Sequence, residues 1–184
     1  MNKIFKTPIN AVVPRFPDFT EFKFESADMS RNFSESDLEQ IVSICNEELV
    51  YEMLFSDLFE GRPYAYKDAQ FFITKAQTNW ENNTGFIFLI RDEEKNIIAT
   101  IDIKSAEFEE AEIGYWISKE YPGIMTNAVK RLTEIAKKAG YKKLWATTKL
   151  ENPKSQNVLI RAGFKDLGQI ERKGHQRRKF EIIL

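Results

Sequence analysis

The sequence predicts one mixed α/β domain in which a central β-sheet is flanked by helices. Two observations lead to this fold class. Short segments with the two-residue alternation or continuous apolar character of strands occur mainly in the second half of the chain. Segments with the 3.6-residue periodicity of helices precede and separate them. The predicted order of elements is βααβββαβαββ.

The first 19 residues are expected to form an extended arm, and residues 20–184 a single domain. Prolines interrupt the arm where a secretory signal would need an apolar core, so we expect no signal peptide. Residues Phe19–Phe24 alternate apolar and polar side chains, which indicates a first strand at the start of the domain.

Two helices are expected before the first hairpin. Ser34 or Ser36 can cap a helix that runs to about Phe59, where a Gly-Arg-Pro sequence ends it. A second helix over Lys67–Glu81 ends at an Asn-Asn-Thr-Gly turn.

The remaining chain predicts six strands and two helices. A helix from Ile124 carries an apolar stripe and ends at Gly140, and a shorter one is capped by Asn152. Because a helix connects the third and fourth of these strands, that pair is expected to be parallel. The six strands are predicted at Gly85–Arg91, Ile97–Lys104, Ala111–Ser118, Lys142–Lys149, Lys165–Arg172 and Arg177–Leu184.

Composition excludes several classes of protein. The 184 residues are 42% apolar and 30% charged, as in globular domains, and no apolar run approaches the ~18 residues of a membrane span. The single cysteine, Cys45, excludes an internal disulfide, and the single histidine, His175, argues against a zinc site. Basic residues near the last turn lack interleaved aromatics, so we expect no nucleic-acid partner. We expect a cytoplasmic protein without a metal or a membrane partner, either a monomer or a homodimer.

Charge is distributed unevenly along the chain. Residues 18–60 carry twelve acidic and two basic side chains, whereas residues 119–184 carry sixteen basic and six acidic ones. The acidic segment could attract a cationic substrate and the basic segment a polyanionic ligand. Alternatively, the two are solvated surfaces that neutralise each other.

One strand–turn–helix segment, Ala111–Gly140, has the local chemistry of an anion site. The turn before the helix contains Pro122 and Gly123, and the free N–H groups at the helix start could bind a phosphate. A plain tight turn is the alternative interpretation of Gly123. A second motif, ENPKSQNVLIRAGF, follows at Glu151–Phe164.

The order of elements, together with EIGYWIS, GIMTNAVKRL and ENPKSQNVLIRAGF, resembles the GNAT superfamily of acetyl-CoA-dependent N-acetyltransferases, and most closely its ribosomal-protein N-terminal acetyltransferase branch. The resemblance covers residues 20–184. It implies a GNAT-like acyl-CoA N-acyltransferase fold, with a mixed central sheet in which the strands at Ala111–Ser118 and Lys142–Lys149 splay apart around the pantetheine arm. The cofactor-binding residues that it implies are Tyr115, Trp116, Ile117, Gly123, Ile124, Met125, Thr126 and Asn152. In this chain the turn is two residues shorter than in the family, and Pro122 contributes no N–H group.

The resemblance also implies two catalytic residues. Glu112 would act as the general base that takes the amine proton through water, and Ser155 would protonate the departing thiolate. Alternatively, Glu112 forms an ordinary cross-strand ion pair, and Ser155 is a helix-start serine bonded to local backbone.

The function that follows from the resemblance is acetyl transfer from acetyl-CoA to a primary amine, by direct attack in a ternary complex. The acceptor would be a peptide or protein N-terminus or a small cationic amine, entering beside the first two helices. The alternative is a catalytically degenerate GNAT-fold module that binds coenzyme A or another protein.

Overall fold

Eight strands form one mixed sheet in the computed structural model of the protein, which describes residues 3–184. Their spatial order is β1-β2-β3-β4-β5-β6-β8-β7, and every neighbouring pair is antiparallel except β5 and β6. The strands are β1 (Asn10–Pro14), β2 (Glu21–Ser26), β3 (Phe86–Arg91), β4 (Ile97–Ile103), β5 (Ala111–Ile117), β6 (Lys143–Lys149), β7 (Lys165–Arg172) and β8 (His175–Ile183).

The segment expected as an extended arm contains a strand of the sheet. Residues Asn10–Pro14 pair antiparallel with β2, and Val13 is fully buried between its neighbours. The strand expected at Phe19–Phe24 is shifted to Glu21–Ser26, because Phe19 adopts a positive φ in the turn between β1 and β2. Residues 1 and 2 lie outside the described part of the chain, and the division into an arm and a domain stays a prediction.

Six helices pack against this sheet. They are α1 (Glu35–Cys45), α2 (Glu48–Leu54), α3 (Ser56–Phe59), α4 (Tyr66–Asn82), α5 (Met125–Ala139) and α6 (Pro153–Arg161). Of the two serines predicted as possible caps of this helix, Ser34 caps α1, in a capping box with Asp37.

The prediction of one continuous helix to Phe59 was wrong, because the chain breaks into α1, α2 and α3. Glu47 has an extended ψ of 132°. The backbone is therefore not helical at this residue. The Glu47 carboxylate accepts hydrogen bonds from Ser118 Oγ and the Lys119 N–H, each at 2.7 Å. Asn46 closes α1 by bonding the backbone of Tyr64 through both its amide nitrogen and its oxygen. These contacts with distant residues end α1 where helical periodicity would continue it.

The sheet separates two apolar cores. Helix α5 buries Ala128, Val129 and Leu132 against one face, and α1 and α4 cover the other. Strand β3 is buried along its whole length, with Phe86, Phe88 and Ile90 in the first core and Ile87 and Leu89 in the second. The sheet therefore has helices on both faces, as the sequence predicts.

Strands β5 and β6 diverge, as the predicted fold requires. They pair only at Ala111 with Leu144 and at Glu112 with Trp145, although each strand is seven residues long. From Ile113 to Ile117, β5 remains paired with β4 on one edge, whereas its other edge, toward β6, faces an opening. The mixed sheet with splayed parallel strands and flanking helices is confirmed.

Two kinds of feature are not found in residues 3–184. No helix there has both the length and the apolar character that a bilayer crossing needs. The same residues contain no group of three or more His, Cys, Asp and Glu side chains placed to hold a metal ion.

Candidate active site

A cavity of about 820 Å³ occupies the opening between β5 and β6. Helices α2 and α3 form one wall, the starts of α5 and α6 another, and the turn between β7 and β8 lies at the rim. The predicted site residues that line it are Glu112, Tyr115, Trp116, Ile117, Met125, Asn152 and Ser155. Gly123, Ile124 and Thr126 are not among the lining residues.

The first turn of α6 points a hydroxyl into this cavity. Asn152 caps the helix, with its side-chain oxygen 3.1 Å from the Ser155 N–H, and Pro153 supplies the preset φ of the first position. The Ser155 hydroxyl therefore does not compete for that backbone group. Its oxygen lies 2.7 Å from the Tyr115 hydroxyl of β5, which also donates to the Ser155 carbonyl at 3.1 Å.

The Tyr115 hydroxyl remains protonated at neutral pH, since burial raises its pKa above the ordinary value. Tyr115 and Ser155 thus form a pair of coupled hydroxyls in which either group can donate. The alternative interpretation of Ser155 as a serine bonded to its local backbone does not describe this contact, because the partner lies 40 residues away in the chain. A proton held in such a pair can be passed to a group in the cavity.

Glu112 is held by two cations. Arg172 forms a bidentate pair with it, at 2.8 and 2.7 Å, and the Lys104 ammonium lies 2.9 Å from one of its oxygens. Although burial acts in the opposite direction, the hydrogen bonds and charges of Arg172 and Lys104 hold the pKa of Glu112 below its usual range. A carboxylate in this state is ionised at neutral pH and weakly basic. The Arg172 guanidinium also stacks over Trp145, 4.8 Å from the ring centroid.

Asp102 is a titratable residue of β4 beside this group that the sequence analysis did not select. It pairs in register with Gly114, where an added Cβ would come within 2.8 Å of the Asp102 carboxylate. Burial raises the pKa of Asp102 to about 6, against the opposing effect of Lys104. The signal was present in the sequence, since Asp102 is a carboxylate between the apolar residues Ile101 and Ile103 of a strand.

The raised pKa of Asp102 predicts a pH-dependent stability. The folded state binds this proton more tightly than the unfolded chain, so the free energy of unfolding should fall as the pH rises from about 4 through 6. Asp102→Asn should remove this loss, which we expect to amount to roughly 1–3 kcal/mol. Urea denaturation at several pH values between 4 and 8 measures it. The exposed Glu94→Gln serves as control and should retain the slope of the unmodified protein; an unchanged slope in Asp102→Asn would contradict the prediction.

The turn before α5 is held by the N-terminal segment of the chain. Gly123 has a φ of +90°, and its carbonyl accepts a hydrogen bond of 3.1 Å from the Phe16 N–H. The Asn127 amide donates to the Pro14 carbonyl at 2.7 Å. The sequence offered no sign of these contacts, because they join segments more than 100 residues apart.

The start of α5 is partly buried, because Ile124 is fully covered and Met125 is 4% exposed, whereas Gly123 is exposed. No acceptor within residues 3–184 takes a hydrogen bond from the N–H groups of residues 123–126. Such unpaired donors at a helix start suit an anion. Met125 brings this helix start to the cavity wall, so the residues present fit a phosphate-bearing cosubstrate.

The wall contributed by α2 and α3 is mainly apolar. It consists of Leu49, Val50, Met53, Leu54 and Leu58, and Asp57 is the one carboxylate in it. Asp57 forms an ion pair of 3.0 Å with Lys149 of β6. The acidic excess of residues 18–60 therefore contributes a single, already paired carboxylate to the cavity.

The sequence and the fold of the chain were both found to resemble those of known proteins. Residues 30–165 match the sequence profile of the Acetyltransferase (GNAT) domain. No curated protein is a significant match by sequence.

Solved structures with a similar fold include several acetyltransferases. RimJ of Mycobacterium smegmatis, in complex with CoA-disulfide, has a TM-score of 0.78 at 15% identity, over 100% of this chain and 90% of that one. An acetyltransferase of Salmonella typhimurium that modifies the N-terminal serine of ribosomal protein L7/L12 has a TM-score of 0.72 at 15% identity, over 95% and 99% of the two chains. Spermidine N-acetyltransferase of Vibrio cholerae, with CoA and spermine, has a TM-score of 0.64 at 19% identity, over 83% and 93%.

These structural relatives include ribosomal-protein acetyltransferases, which is consistent with the branch that the sequence resembles. The profile covers about three quarters of the chain, and the sheet, the splayed strands and the cavity have the form that the resemblance implies. The chain belongs to the GNAT family of acetyl-CoA-dependent N-acetyltransferases.

Proposed function

We propose that the protein transfers the acetyl group of acetyl-CoA to a primary amine, on a peptide or protein N-terminus or on a small molecule. The observation that carries the proposal is the cavity between the splayed strands, into which the coupled hydroxyls of Ser155 and Tyr115 point. Structural relatives solved with CoA-disulfide or CoA support an acyl-CoA donor.

Acetyl-CoA would be bound through backbone groups. The unpaired N–H groups of Gly123, Ile124, Met125 and Thr126 would hold the pyrophosphate at the start of α5. Gly123, Ile124 and Thr126 lie outside the cavity lining, so the pyrophosphate would extend beyond the cavity to reach their main chain. The backbone of β5 at Tyr115–Ile117, unpaired with β6, would bond the pantetheine arm, and Asn152 would position α6.

The reaction would proceed by direct attack. The amine nitrogen forms a bond with the thioester carbon, the carbon–sulfur bond breaks, and coenzyme A leaves as the thiolate. Ser155, oriented by its contact with the Tyr115 hydroxyl, would give the thiolate a proton and regain one from water. The proton lost by the amine would pass through water toward Glu112, whose negative charge also favours the positive charge that develops on nitrogen.

Substitution of the two proposed catalytic residues tests these roles. Ser155→Ala and Glu112→Gln should each lower kcat about tenfold or more, while the KM for acetyl-CoA changes little after Ser155→Ala. Ser36→Ala, in the first turn of α1, and Glu110→Gln, before β5, are matched controls outside the cavity and should retain full activity. Unchanged rates in both Ser155→Ala and Glu112→Gln would refute the assignment.

One observation favours the alternative of a non-catalytic module. Both oxygens of Glu112 are engaged by cations, which makes this residue a weak base. Calorimetric titration with acetyl-CoA, followed by assays over a panel of amines, separates the alternatives. Binding with turnover supports the transferase, and binding without turnover supports a module that binds coenzyme A. No binding at millimolar acetyl-CoA would contradict the transferase and leave a module that binds another protein.

A further inference from the structure

The cavity carries a large excess of positive charge. Eight basic side chains, including His175, line it, against two carboxylates, Asp57 and Glu112. Both carboxylates are already paired, Asp57 with Lys149 at 3.0 Å and Glu112 with Lys104 and Arg172 at 2.9 and 2.7 Å. No carboxylate of the cavity therefore remains to neutralise a second ammonium group on an acceptor.

Four of the lysine and arginine side chains in the lining have no counter-ion among residues 3–184, namely Lys75, Lys154, Lys173 and Arg177, and the last two lie together at the rim of the cavity. Lys173 and Arg177 flank the turn between β7 and β8, and no carboxylate in residues 3–184 comes within 4.0 Å of either side chain. The turn and α3 line the same cavity, since Asp57 and Leu58 of α3 contribute to it together with these residues. The proposed pyrophosphate site is at the start of α5, so these two cations are not required for it.

Of the acidic residues in the segment 18–60, only Asp57 lines the cavity. Glu47 accepts hydrogen bonds from Ser118 and Lys119. Asp37 and Glu25 pair with the buried Arg91, and all three line a different pocket. What α2 and α3 present to the cavity is the apolar surface that contains Leu49, Met53 and Leu54.

We propose that the acceptor is an amine that also carries an anionic group, a carboxylate or a phosphate, bound by Lys173 and Arg177. This inference rests on the proposed function and specifies the substrate class of the same site. The reacting amine would lie near Glu112 and Ser155, and the anionic group would extend toward the β7–β8 turn. A polyamine, in contrast, would bring further positive charge into a cavity that has no free carboxylate.

Matched acceptors that differ in charge test the proposal. One pair consists of two peptides with the same N-terminal residue, followed either by aspartates or by lysines. A second pair consists of an amino acid and its amide, and a third of an aminoalkyl phosphate and the corresponding amino alcohol. The anionic member of at least one pair should have the higher kcat/KM, by about tenfold, and the preference should weaken with added salt. The pairs that show it distinguish a peptide carboxylate from a small anionic amine.

Charge reversal identifies the residues responsible. Lys173→Glu and Arg177→Glu should abolish or invert the preference while the KM for acetyl-CoA stays within about twofold. Lys165→Glu changes the charge of the same hairpin by the same amount, outside the cavity, and should retain the preference. Turnover with no charge preference, or with a preference for cationic acceptors, would overturn this inference and leave the proposed function intact. Absence of turnover with every amine would instead overturn the proposed function, and the inference with it.

Discussion

We expect the substitution Gly123→Ala both to destabilise the protein and to weaken the binding of acetyl-CoA. The φ of Gly123 is +90°, a conformation that costs an L-residue about 1–2 kcal/mol. An added Cβ would also lie 2.3 Å from the Phe16 carbonyl oxygen, a main-chain atom that cannot rotate away. Relief of that overlap should cost about 1–3 kcal/mol more and displace the turn whose amides are proposed to hold the pyrophosphate.

Gly61→Ala is the matched control for this substitution. Gly61 has a similar φ of +84° but has nothing within 4 Å of an added Cβ. The control should show only the backbone cost, and calorimetry should find its affinity for acetyl-CoA unchanged. Urea denaturation of both variants isolates the contact with Phe16. Equal losses of stability in the two variants would mean that the N-terminal segment does not hold the turn.

Arg91→Met should cause the largest loss of stability of any single substitution considered. Arg91 is 8% exposed, and its guanidinium bonds Glu25 at 2.9 Å, Asp37, and the Lys95 carbonyl at 2.6 Å. Methionine preserves the length of the side chain but leaves two carboxylates buried without this partner, which typically costs about 3–5 kcal/mol. Chemical denaturation at pH 7 measures the loss.

The control is Arg62→Met, which removes a more exposed pair with Asp68 and should cost about 1 kcal/mol or less. Comparable losses in the two variants would contradict the buried role of Arg91.

The pH dependence of stability gives a second test of the role of Arg91. Although burial acts to raise it, the hydrogen bonds from Arg91 and Ser34 keep the pKa of Asp37 below 3.8. Its contribution to stability is therefore present above about pH 4 and lost as the pH falls through its folded-state pKa. In Arg91→Met the pKa of Asp37 should rise, so the difference from the unmodified protein should shrink between pH 7 and pH 4.

Elements with local signals could be predicted from the sequence. Gly140 takes the left-handed conformation that ends α5, and Asn152 with Pro153 starts α6, because caps depend on neighbouring backbone groups. The breaks between α1, α2 and α3 could not be predicted, since they depend on where Asn46 and Glu47 find partners 18 to 72 residues away. Strand β1 was missed for a different reason, because Pro14 lies in it and Pro8 and Pro17 flank it, and prolines are tolerated in a strand at the sheet edge.

The residues of the candidate site could be predicted from the sequence, whereas the ion pairs that they form could not. The family motifs led to Glu112, Tyr115, Asn152 and Ser155, which the structure brings to one cavity. The ion pair of Glu112 with Arg172 joins the end of β7 to β5 although β6 and β8 lie between these two strands in the sheet, and no local pattern reports that contact. The acidic count over residues 18–60 does not describe the charge of the cavity, because Asp57 is the only one of those carboxylates in its lining.

The hydrogen bond between the Phe16 N–H and the Gly123 carbonyl has a consequence for the shortened turn before α5. A loop two residues shorter than its relatives has less main chain with which to brace its own conformation. Here residues 14–16 supply that support, so they complete from outside the turn that is proposed to bind the cosubstrate. We therefore expect amide exchange at Phe16 to slow when acetyl-CoA is added, and a tag or deletion near residue 14 to alter acetyl-CoA affinity without changing any residue of the cavity.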